Sequence, residues 1–188
     1  MRNAQNAFAL MSGILAIIHP AQYDMAYEIK MRLMESSDCE NTLRKWGTVY
    51  TAATVIANRR TPYHRDNGSR VEWYDMLTSY GPYDKAPFHL EPLGLRINNP
   101  PGTICAFSGR AIRHGVRKIE QPRISLALYL RDNVRDGADV DSAGWMTQQS
   151  FEPLVGPKRG SLRPCKHQVS SEVMAELVKG LRDAKISK

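Results

Sequence analysis

Hydrophobic residues near the start of the chain recur at helical spacing. The first stripe consists of Phe8, Met11, Leu15 and Ile18, and the second of Met25, Ile29 and Leu33. Because Pro20 cannot continue a regular helix, the break at His19-Pro20 predicts two helices, the second running from about Ala21 to Met34. Both helices are expected to support the fold rather than to carry chemistry.

From Thr48 the pattern changes to short β-branched and aromatic runs separated by clusters of Gly, Pro and Asn. We predict five strands, at Val49–Ala57, Glu72–Tyr80, Gly94–Ile97, Thr103–Phe107 and Arg123–Leu130. Their connections contain turn-forming residues, as in "NGS" and "NNPPG". The pattern indicates a mainly β fold, a small barrel or sandwich, with flanking helices.

After Asp136 the chain becomes polar, with a basic loop at "VGPKRGSLRP" and a final amphipathic helix from Ser170 to Ala184. A length of 188 residues suits one globular domain. We therefore expect a single unit in three parts: helical support at residues 1–47, a β core at 48–136, and the basic loop and helix at 137–188.

The chain is basic, with a formal net charge of +7 and a pI near 9.5. Clustered Lys and Arg gain free energy when they release counterions from phosphates, so this charge favours a polyanionic partner. Basic surfaces also occur without such a partner, and charge alone does not identify nucleic acid.

Cysteine usage and hydropathy indicate the compartment. Cys39, Cys105 and Cys165 are too far apart for a zinc motif or a disulfide framework, which favours a reducing, intracellular environment. The apolar stretch Ala7–Ile18 is too short to cross a bilayer, so we expect no membrane association. A signal peptide is the open alternative for this stretch, although its helical spacing favours a packed face.

The segment "TPYHRDNG" contains a candidate metal pair, His64 and Asp66. Two residues apart on a strand, both side chains leave the same face and can bind one ion. Two imidazoles and a carboxylate on one face of an octahedral iron leave three positions for a bidentate oxoacid and dioxygen. The best third ligand is His114, because a strand, a turn and a His followed by Gly suit a ligand at a barrel rim. His19 lies in the helical start and His167 in the basic tail. A chance pair in a surface turn is the alternative for the motif alone.

Arg123 lies nine residues after His114, in the segment "PRISLALYL", which alternates along a predicted strand. One face carries Ile124, Leu126, Leu128 and Leu130, and the other Arg123, Ser125, Ala127, Tyr129 and Arg131. The Arg123 guanidinium suits the distal carboxylate of 2-oxoglutarate, to which the Ser125 hydroxyl adds a hydrogen bond. An edge strand with a solvated polar face is the alternative, but it leaves the spacing from His114 unexplained.

Together, His-x-Asp, the later His and Arg-x-Ser resemble the Fe(II)/2-oxoglutarate-dependent dioxygenase superfamily, over about Thr48 to Arg131. "HRDNGS" and "FHLEPLG" are similar to its TET/JBP branch, the oxidases of methylated DNA bases, and in particular to short fungal-type members. "VIANRRTPYHRD" also resembles the AlkB branch. The Cys-rich zinc-binding region and the long insert of animal TET enzymes are missing. The resemblance implies a double-stranded β-helix, a cupin-like jelly-roll, as the catalytic core.

The resemblance also implies roles for individual residues. It makes His64, Asp66 and His114 the iron ligands and Arg123 the partner of the 2-oxoglutarate C5 carboxylate. The shorter motifs imply three further cosubstrate-binding residues: Ser125, Asn58 and His89. For His89, the alternative of a partly exposed loop histidine without a role in the site is equally open. Residues implied or hypothesised to face the target base are Asn67, Tyr129, Arg131 and Asp132.

The implied reaction uses iron(II), 2-oxoglutarate and dioxygen to oxidise the methyl group of 5-methylcytosine or N6-methyladenine through a ferryl-oxo oxidant. The partner would be DNA with a methylated base, in a duplex from which the base is flipped out. Candidate phosphate contacts are Arg65, Arg70, Lys158 and Arg159. The resemblance implies a nuclear location, and no obligate protein partner is inferred. The alternatives are the same chemistry on RNA, protein or a small molecule, and a non-enzymatic cupin-like binding module.

Overall fold

The computed structural model describes residues 4–36, 40–117, 119–147 and 150. Within these residues, eight strands form two antiparallel sheets of four strands each. The first sheet has the order β1 (Ala52–Ala57), β8 (Ile124–Tyr129), β3 (Asp75–Tyr80) and β6 (Ile104–Phe107). The second has the order β2 (Thr61–His64), β7 (His114–Val116), β4 (Phe88–Leu90) and β5 (Leu95–Ile97).

Successive strands cross between the two sheets, except at the β4–β5 hairpin. This winding is the double-stranded β-helix of cupin-like jelly-rolls, which confirms the predicted fold class. The helices flank the sheets, as α1 (Gln5–Ile18), α2 (Pro20–Ser36), α3 (Glu40–Arg44) and α4 (Asp132–Gly137). A single turn of 3-10 helix at Glu91–Leu93 joins β4 to β5.

The main core lies between α1, α2 and the outer face of the first sheet. The predicted helical stripes supply Phe8, Met11, Leu15, Met25 and Ile29, all of them buried. The sheet supplies Met76, Leu126, Leu128 and Leu130 from two central strands and the residue after β8. Because α1 and α2 cover only part of the sheet, Ile124 at the start of β8 is 51% exposed although it shares the predicted apolar face.

The five predicted strands form, although each is shorter than the pattern suggested. Val49 and Tyr50 lie before β1 and are buried in the main core rather than paired in the sheet. Three strands were missed: β2, β4 and β7. Each has only three or four residues and includes a polar side chain, so their pairing depends on neighbouring strands rather than on local alternation.

Residues beyond 136 continue into the main core. Ala138, Val140 and Ala143 are buried there, and the Trp73 indole Nε1 donates to Ala143 O at 3.2 Å. The predicted basic loop and Ser170–Ala184 helix lie outside the described residues, as do Cys39 and Cys165. Among the described helices, none has both the length and the apolar character needed to cross a membrane.

Candidate metal centre

The three predicted metal ligands converge at one end of the second sheet. His64 is the last residue of β2 and His114 the first of β7, and these two residues are paired across the sheet. Their ring centroids are 4.4 Å apart. Asp66 lies in the loop after β2, where its backbone N–H donates to Gly109 O at 2.9 Å. This loop, rather than the strand alternation that the sequence suggested, aims the Asp66 carboxylate at the histidines.

Hydrogen bonds to the backbone orient both imidazoles. His64 Nδ1 donates to Pro62 O at 2.8 Å, and His114 Nδ1 donates to Ile112 O at 2.9 Å, since a carbonyl oxygen can only accept. The neutral ring therefore carries its lone pair on Nε2 in each case. The two Nε2 atoms lie 3.3 and 3.8 Å from the Asp66 carboxylate oxygens.

The donor set fits an iron(II) ion. The ligand atoms of His64, Asp66 and His114 lie within 4.8 Å of one another, close enough to bind a single metal. His114 is only 3% exposed, and this burial lowers the pKa of its imidazole. The lowered pKa favours the neutral form that metal binding requires. Two imidazoles and one carboxylate form the facial triad typical of non-haem iron oxygenases, with open positions opposite.

Two residues that sequence reasoning missed support the Asp66 loop. Gly109 is buried against it, and a Cβ on Gly109 would collide with the Asp66 carboxylate and come within 2.6 Å of Asp75 Oδ2. The Gly109 N–H donates to Asp75 Oδ2 at 3.1 Å. Burial, and to a smaller extent the negative charge of Asp66, raise the pKa of Asp75 to about 8. The alternation of β3 could have indicated Asp75, since it shares a face with Leu77 and Ser79.

A cavity of about 410 Å³ extends from the triad into the space between the two sheets. Its volume lies within the range typical of small-molecule sites. Its lining includes the three metal ligands together with residues of both sheets, among them Phe88, Val116, Leu77, Ala127 and Cys105. The predicted polar face of β8 faces this cavity, as Arg123, Ser125, Tyr129 and Arg131 all line it. The alternative of a solvated edge strand is wrong, because β8 lies between β1 and β3.

Arg123 and Ser125 fit an oxoacid. Arg123 is only 4% exposed, and its guanidinium Nη2 donates to Arg59 O at 3.3 Å, which leaves other N–H donors for a carboxylate. Ser125 Oγ is buried without a hydrogen-bond partner among the described residues. A buried hydroxyl without a partner is costly, and an incoming carboxylate would satisfy it. These residues would therefore bind the distal carboxylate of 2-oxoglutarate.

Asn58 lies next to this site, but it does not line the cavity. Its Oδ1 accepts from Arg123 N at 2.8 Å, and its own N–H donates to Arg123 O at 2.8 Å. Asn58 adopts a φ of 53°, in the left-handed region that Asn tolerates better than most residues. The structure thus places the predicted cosubstrate residue as a clamp on the Arg123 backbone.

Sequence reasoning also missed a polar cluster near Arg123. Ser79 Oγ and Tyr83 Oη share a hydrogen bond of 2.6 Å, and Asn99 Nδ2 donates to Ser79 Oγ at 3.3 Å. Ser79 and Asn99 line the cavity, and both residues are buried. Asn99 belongs to the "NNPPG" turn, for which the sequence offered no signal beyond a connection.

His89 lies on the opposite side of the second sheet from the cavity. It is buried on β4 between Phe88, which lines the cavity, and Leu90. Tyr63 Oη donates to or accepts from its Nδ1 at 2.8 Å, while Nε2 has no partner among the described residues. The strand alternation therefore places His89 away from the cavity that Arg123 and Ser125 line, and its assignment to the cosubstrate stays a prediction.

Asn67, Tyr129 and Arg131 line the mouth of the cavity. The Arg131 guanidinium lies 4.7 Å from the Tyr129 ring centroid and its Nη1 donates to Asn67 O at 2.6 Å. Asp132 is next to the mouth but does not line the cavity, and its carboxylate binds Arg135 at 2.8 Å and Arg70 at 3.5 Å.

Of the proposed phosphate contacts, Arg65 is exposed and Arg70 is partly exposed near this mouth. Arg65 Nε donates to Ala111 O at 3.2 Å, which holds it against the loop that precedes β7. Lys158 and Arg159 lie outside the described residues.

A match to a family model supports the same chemistry. The Tet_JBP model, described as the oxygenase domain of the 2OGFeDO superfamily, matches residues 1–132. No match was found among curated proteins. Similar solved structures include NgTET1 in complex with 5mC DNA, at 16% identity and a TM-score of 0.47, with 65% of this chain and 47% of that chain covered. An RmlC-like cupin protein from Desulfovibrio desulfuricans has 15% identity and a TM-score of 0.29, with 41% and 71% covered.

This chain spans about half the length of the NgTET1 chain. The family match covers residues 1–132, and thus both histidines, Asp66, Arg123 and Ser125. It confirms the cofactors expected from the sequence, iron(II) and 2-oxoglutarate, and the triad has the donor set that they require. The chain therefore belongs to the Tet_JBP family of oxygenase domains in the 2OGFeDO superfamily, and it is an Fe(II)- and 2-oxoglutarate-dependent dioxygenase.

Proposed function

We propose that this dioxygenase oxidises the methyl group of a modified base in DNA, 5-methylcytosine or N6-methyladenine or both. The sequence motifs resemble the TET/JBP branch, whose members oxidise methylated DNA bases, and this resemblance supports a nucleic-acid base as the substrate class. The observation that carries the proposal is the single cavity that the oxoacid residues, the metal ligands and the mouth residues all line. A nuclear location is part of this proposal and stays a prediction.

The reaction divides among three groups of residues. Arg123 and Ser125 bind and orient 2-oxoglutarate, and the triad of His64, Asp66 and His114 binds iron(II). When bound, the iron would supply oxidation chemistry that converts 2-oxoglutarate and dioxygen into succinate and carbon dioxide. One oxygen atom of dioxygen enters succinate, and the other is inserted into a C–H bond of the methyl group. The apolar lining, including Phe88 and Val116, restricts the access of water to the triad.

A methyl group inside a duplex cannot reach a triad that lines this cavity, so the base would be flipped out. Side chains at the mouth of the cavity can contact the flipped base. The Tyr129 ring provides a surface for stacking, and its Oη is held by a 2.9 Å hydrogen bond to Thr54 Oγ1. Asn67 Oδ1 accepts from Arg110 Nη1 at 2.7 Å, which leaves the Asn67 amide N–H groups to donate to the polar edge of a base. Assigning Asp132 to this edge stays a prediction.

The test is turnover of oligonucleotides that carry one methylated base each. The protein would be incubated with iron(II), 2-oxoglutarate and duplexes containing 5-methylcytosine or N6-methyladenine, and the nucleosides analysed by mass spectrometry. We expect hydroxymethylcytosine, or loss of the N6-methyl group, in the wild type and neither product in Asp66→Ala. Oxidation of methylated RNA with no product from any DNA would reject the proposal and favour the RNA alternative. Succinate release without oxidation of either nucleic acid would favour a protein or small-molecule substrate.

A further inference from the structure

The outer face of the second sheet carries a cluster of basic side chains on the side opposite the cavity. We call it the basic sheet face and define it by Arg60, Arg96, Arg113 and Arg117, together with Tyr63 and His89. These residues come from or adjoin all four strands of the sheet. None of them binds the metal or the cosubstrate in the function proposed above.

The register of the sheet brings these side chains together. His89 is paired with Arg96 on β5 and with Gly115 on β7. Paired residues project from the same side of a sheet, so Arg96 lies on the His89 side, away from the cavity that Phe88 lines. The Arg113 guanidinium lies 5.6 Å from the Tyr63 ring centroid, and the Tyr63 and His89 rings are 6.0 Å apart.

A shallow groove of about 390 Å³ runs along this face. It is lined by the β2 and β7 ends, from Arg60 to Tyr63 and from Gly115 to Arg117. Gly115 keeps the floor open, because a Cβ there would come within 2.9 Å of Thr61 O and 3.0 Å of the Tyr63 ring. The groove is therefore lined by two arginines and a partly exposed aromatic ring.

Most of the positive charge on this face is not neutralised. Arg113 pairs with Glu91, but no carboxylate among the described residues pairs with Arg60, Arg96 or Arg117. All three of these arginines are exposed. Burial lowers the pKa of His89, and the positive charges of Arg96 and Arg117 lower it further, so both guanidinium groups act on the His89 ring. An anionic partner would relieve this accumulated charge.

We propose that the basic sheet face binds the sugar-phosphate backbone of nucleic acid, without reading its base sequence. Adjacent strands lie about 4.8 Å apart, so a four-stranded sheet spans roughly 14 Å. That distance matches about four nucleotides of one strand at 3.4 Å each. Exposed arginines bind phosphates through charge-assisted hydrogen bonds, and an exposed tyrosine can stack on a base or a sugar. The proposal does not depend on which substrate the cavity oxidises.

The test is the salt dependence of binding to an unmodified duplex, measured by fluorescence anisotropy. The variant is Arg96→Gln/Arg117→Gln, in which both altered side chains are exposed. The matched control is Arg44→Gln/Lys45→Gln, which removes the same charge from the exposed end of α3 and the residue after it. Each phosphate contact contributes about 0.9 to the slope of log K against log salt, so we expect the slope to fall by about 2 in the variant and to stay unchanged in the control.

Equal slopes in the variant and the control would overturn the proposal. It would also be overturned if the wild type bound vesicles containing phosphatidylserine, the double variant lost that binding, and duplex binding were the same in both. Turnover separates this proposal from the proposed function. A reduced slope in a protein that oxidises no DNA would support the basic sheet face and reject the proposed substrate. Oxidation of methylated DNA, with equal slopes in the variant and the control, would support the proposed substrate and reject the basic sheet face as a binding site.

Discussion

At the scale of single residues, Asp66 combines a central chemical position with a modest structural one. Its side chain is 37% exposed and lies in a loop rather than in the main core. We therefore predict that Asp66→Ala abolishes iron binding and succinate release while the midpoint of thermal unfolding changes little. Bound iron, succinate release and circular dichroism would be measured, with Asp84→Ala, an exposed acid between β3 and β4, as the control. Normal iron content in Asp66→Ala would contradict the triad.

Arg123 is expected to act through 2-oxoglutarate. Loss of a charge-assisted bidentate contact removes roughly 3 kcal/mol of binding free energy. Arg123→Ala should therefore raise the dissociation constant of 2-oxoglutarate about 100-fold. Ser125→Ala, which removes one neutral donor to the same carboxylate, should raise it about tenfold or less. Titration calorimetry would give both constants. An unchanged constant in Arg123→Ala, or activity that excess cosubstrate does not restore, would show that Arg123 has another role.

Gly109 has no functional atom of its own, yet it should matter for metal binding. An added methyl group would displace the Asp66 carboxylate and press on Asp75 Oδ2, so we predict that Gly109→Ala weakens iron binding at least tenfold. Its backbone φ is not in the left-handed region, and the effect should therefore be steric. Gly13→Ala is the control, because a Cβ there meets nothing within 4 Å. Equal iron affinities in the two variants would reject this role.

At the scale of elements, the turn between α1 and α2 contains a buried histidine. His19 is 1% exposed, its Nδ1 accepts from Gln22 N at 3.3 Å, and its ring meets Tyr74 edge-on at 5.5 Å. Burial lowers the pKa of His19, and the nearby carbonyls of Glu72 and Gly144 oppose that shift only in part. His19 is thus held neutral in the folded protein over a pH range in which the unfolded chain accepts a proton.

This arrangement predicts a pH dependence of stability. Above the unfolded-state pKa of about 6.5, both states are neutral at His19 and stability is complete. As the pH falls below it, the unfolded state binds the extra proton, and the free energy of unfolding falls by at most about 1.4 kcal/mol per pH unit. Urea unfolding between pH 7.5 and 5, with chelator present, should show a shallower dependence in His19→Gln than in the wild type. Parallel curves would contradict the prediction.

The short strands show why some elements escape a one-dimensional pattern. β8 was predicted because its segment alternates, and β3 because it lies in a run with aromatic residues between clusters of turn-forming residues. In contrast, β7 consists of His114, Gly115 and Val116, a sequence with no local preference for a strand. It becomes one because β2 and β4 provide partners on both sides. Such pairing is a property of the sheet and not of the segment.

At the scale of the whole molecule, the segment after α4 completes the main core. We predict that a chain ending at Asp136 is less stable than one ending at Thr147, by roughly 3 kcal/mol or more. The shorter chain loses the burial of Ala138, Val140 and Ala143 and the acceptor of the Trp73 indole. Urea unfolding of the two truncated chains would measure the difference. Equal free energies of unfolding would show that these contacts add nothing to stability.

The sequence by itself determined the features that depend on residues close together or on regular alternation. The helical stripes, five of the strands, the His64-x-Asp66 pair and the Arg123-x-Ser125 pair all follow from local spacing. His114 could be selected because few histidines compete with it, and the resemblance to a known superfamily then related it to the other ligands.

Only the tertiary structure decided which distant residues meet. Gly109 aims Asp66, Asn58 clamps the Arg123 backbone, and Ser79 and Asn99 join the cavity from different elements. It likewise assembles the basic sheet face from arginines on or beside all four strands of one sheet, and turns His89 away from the cavity. The physical reason is that sheet register and strand crossing set these contacts, and both depend on the packing of the whole chain rather than on any single segment.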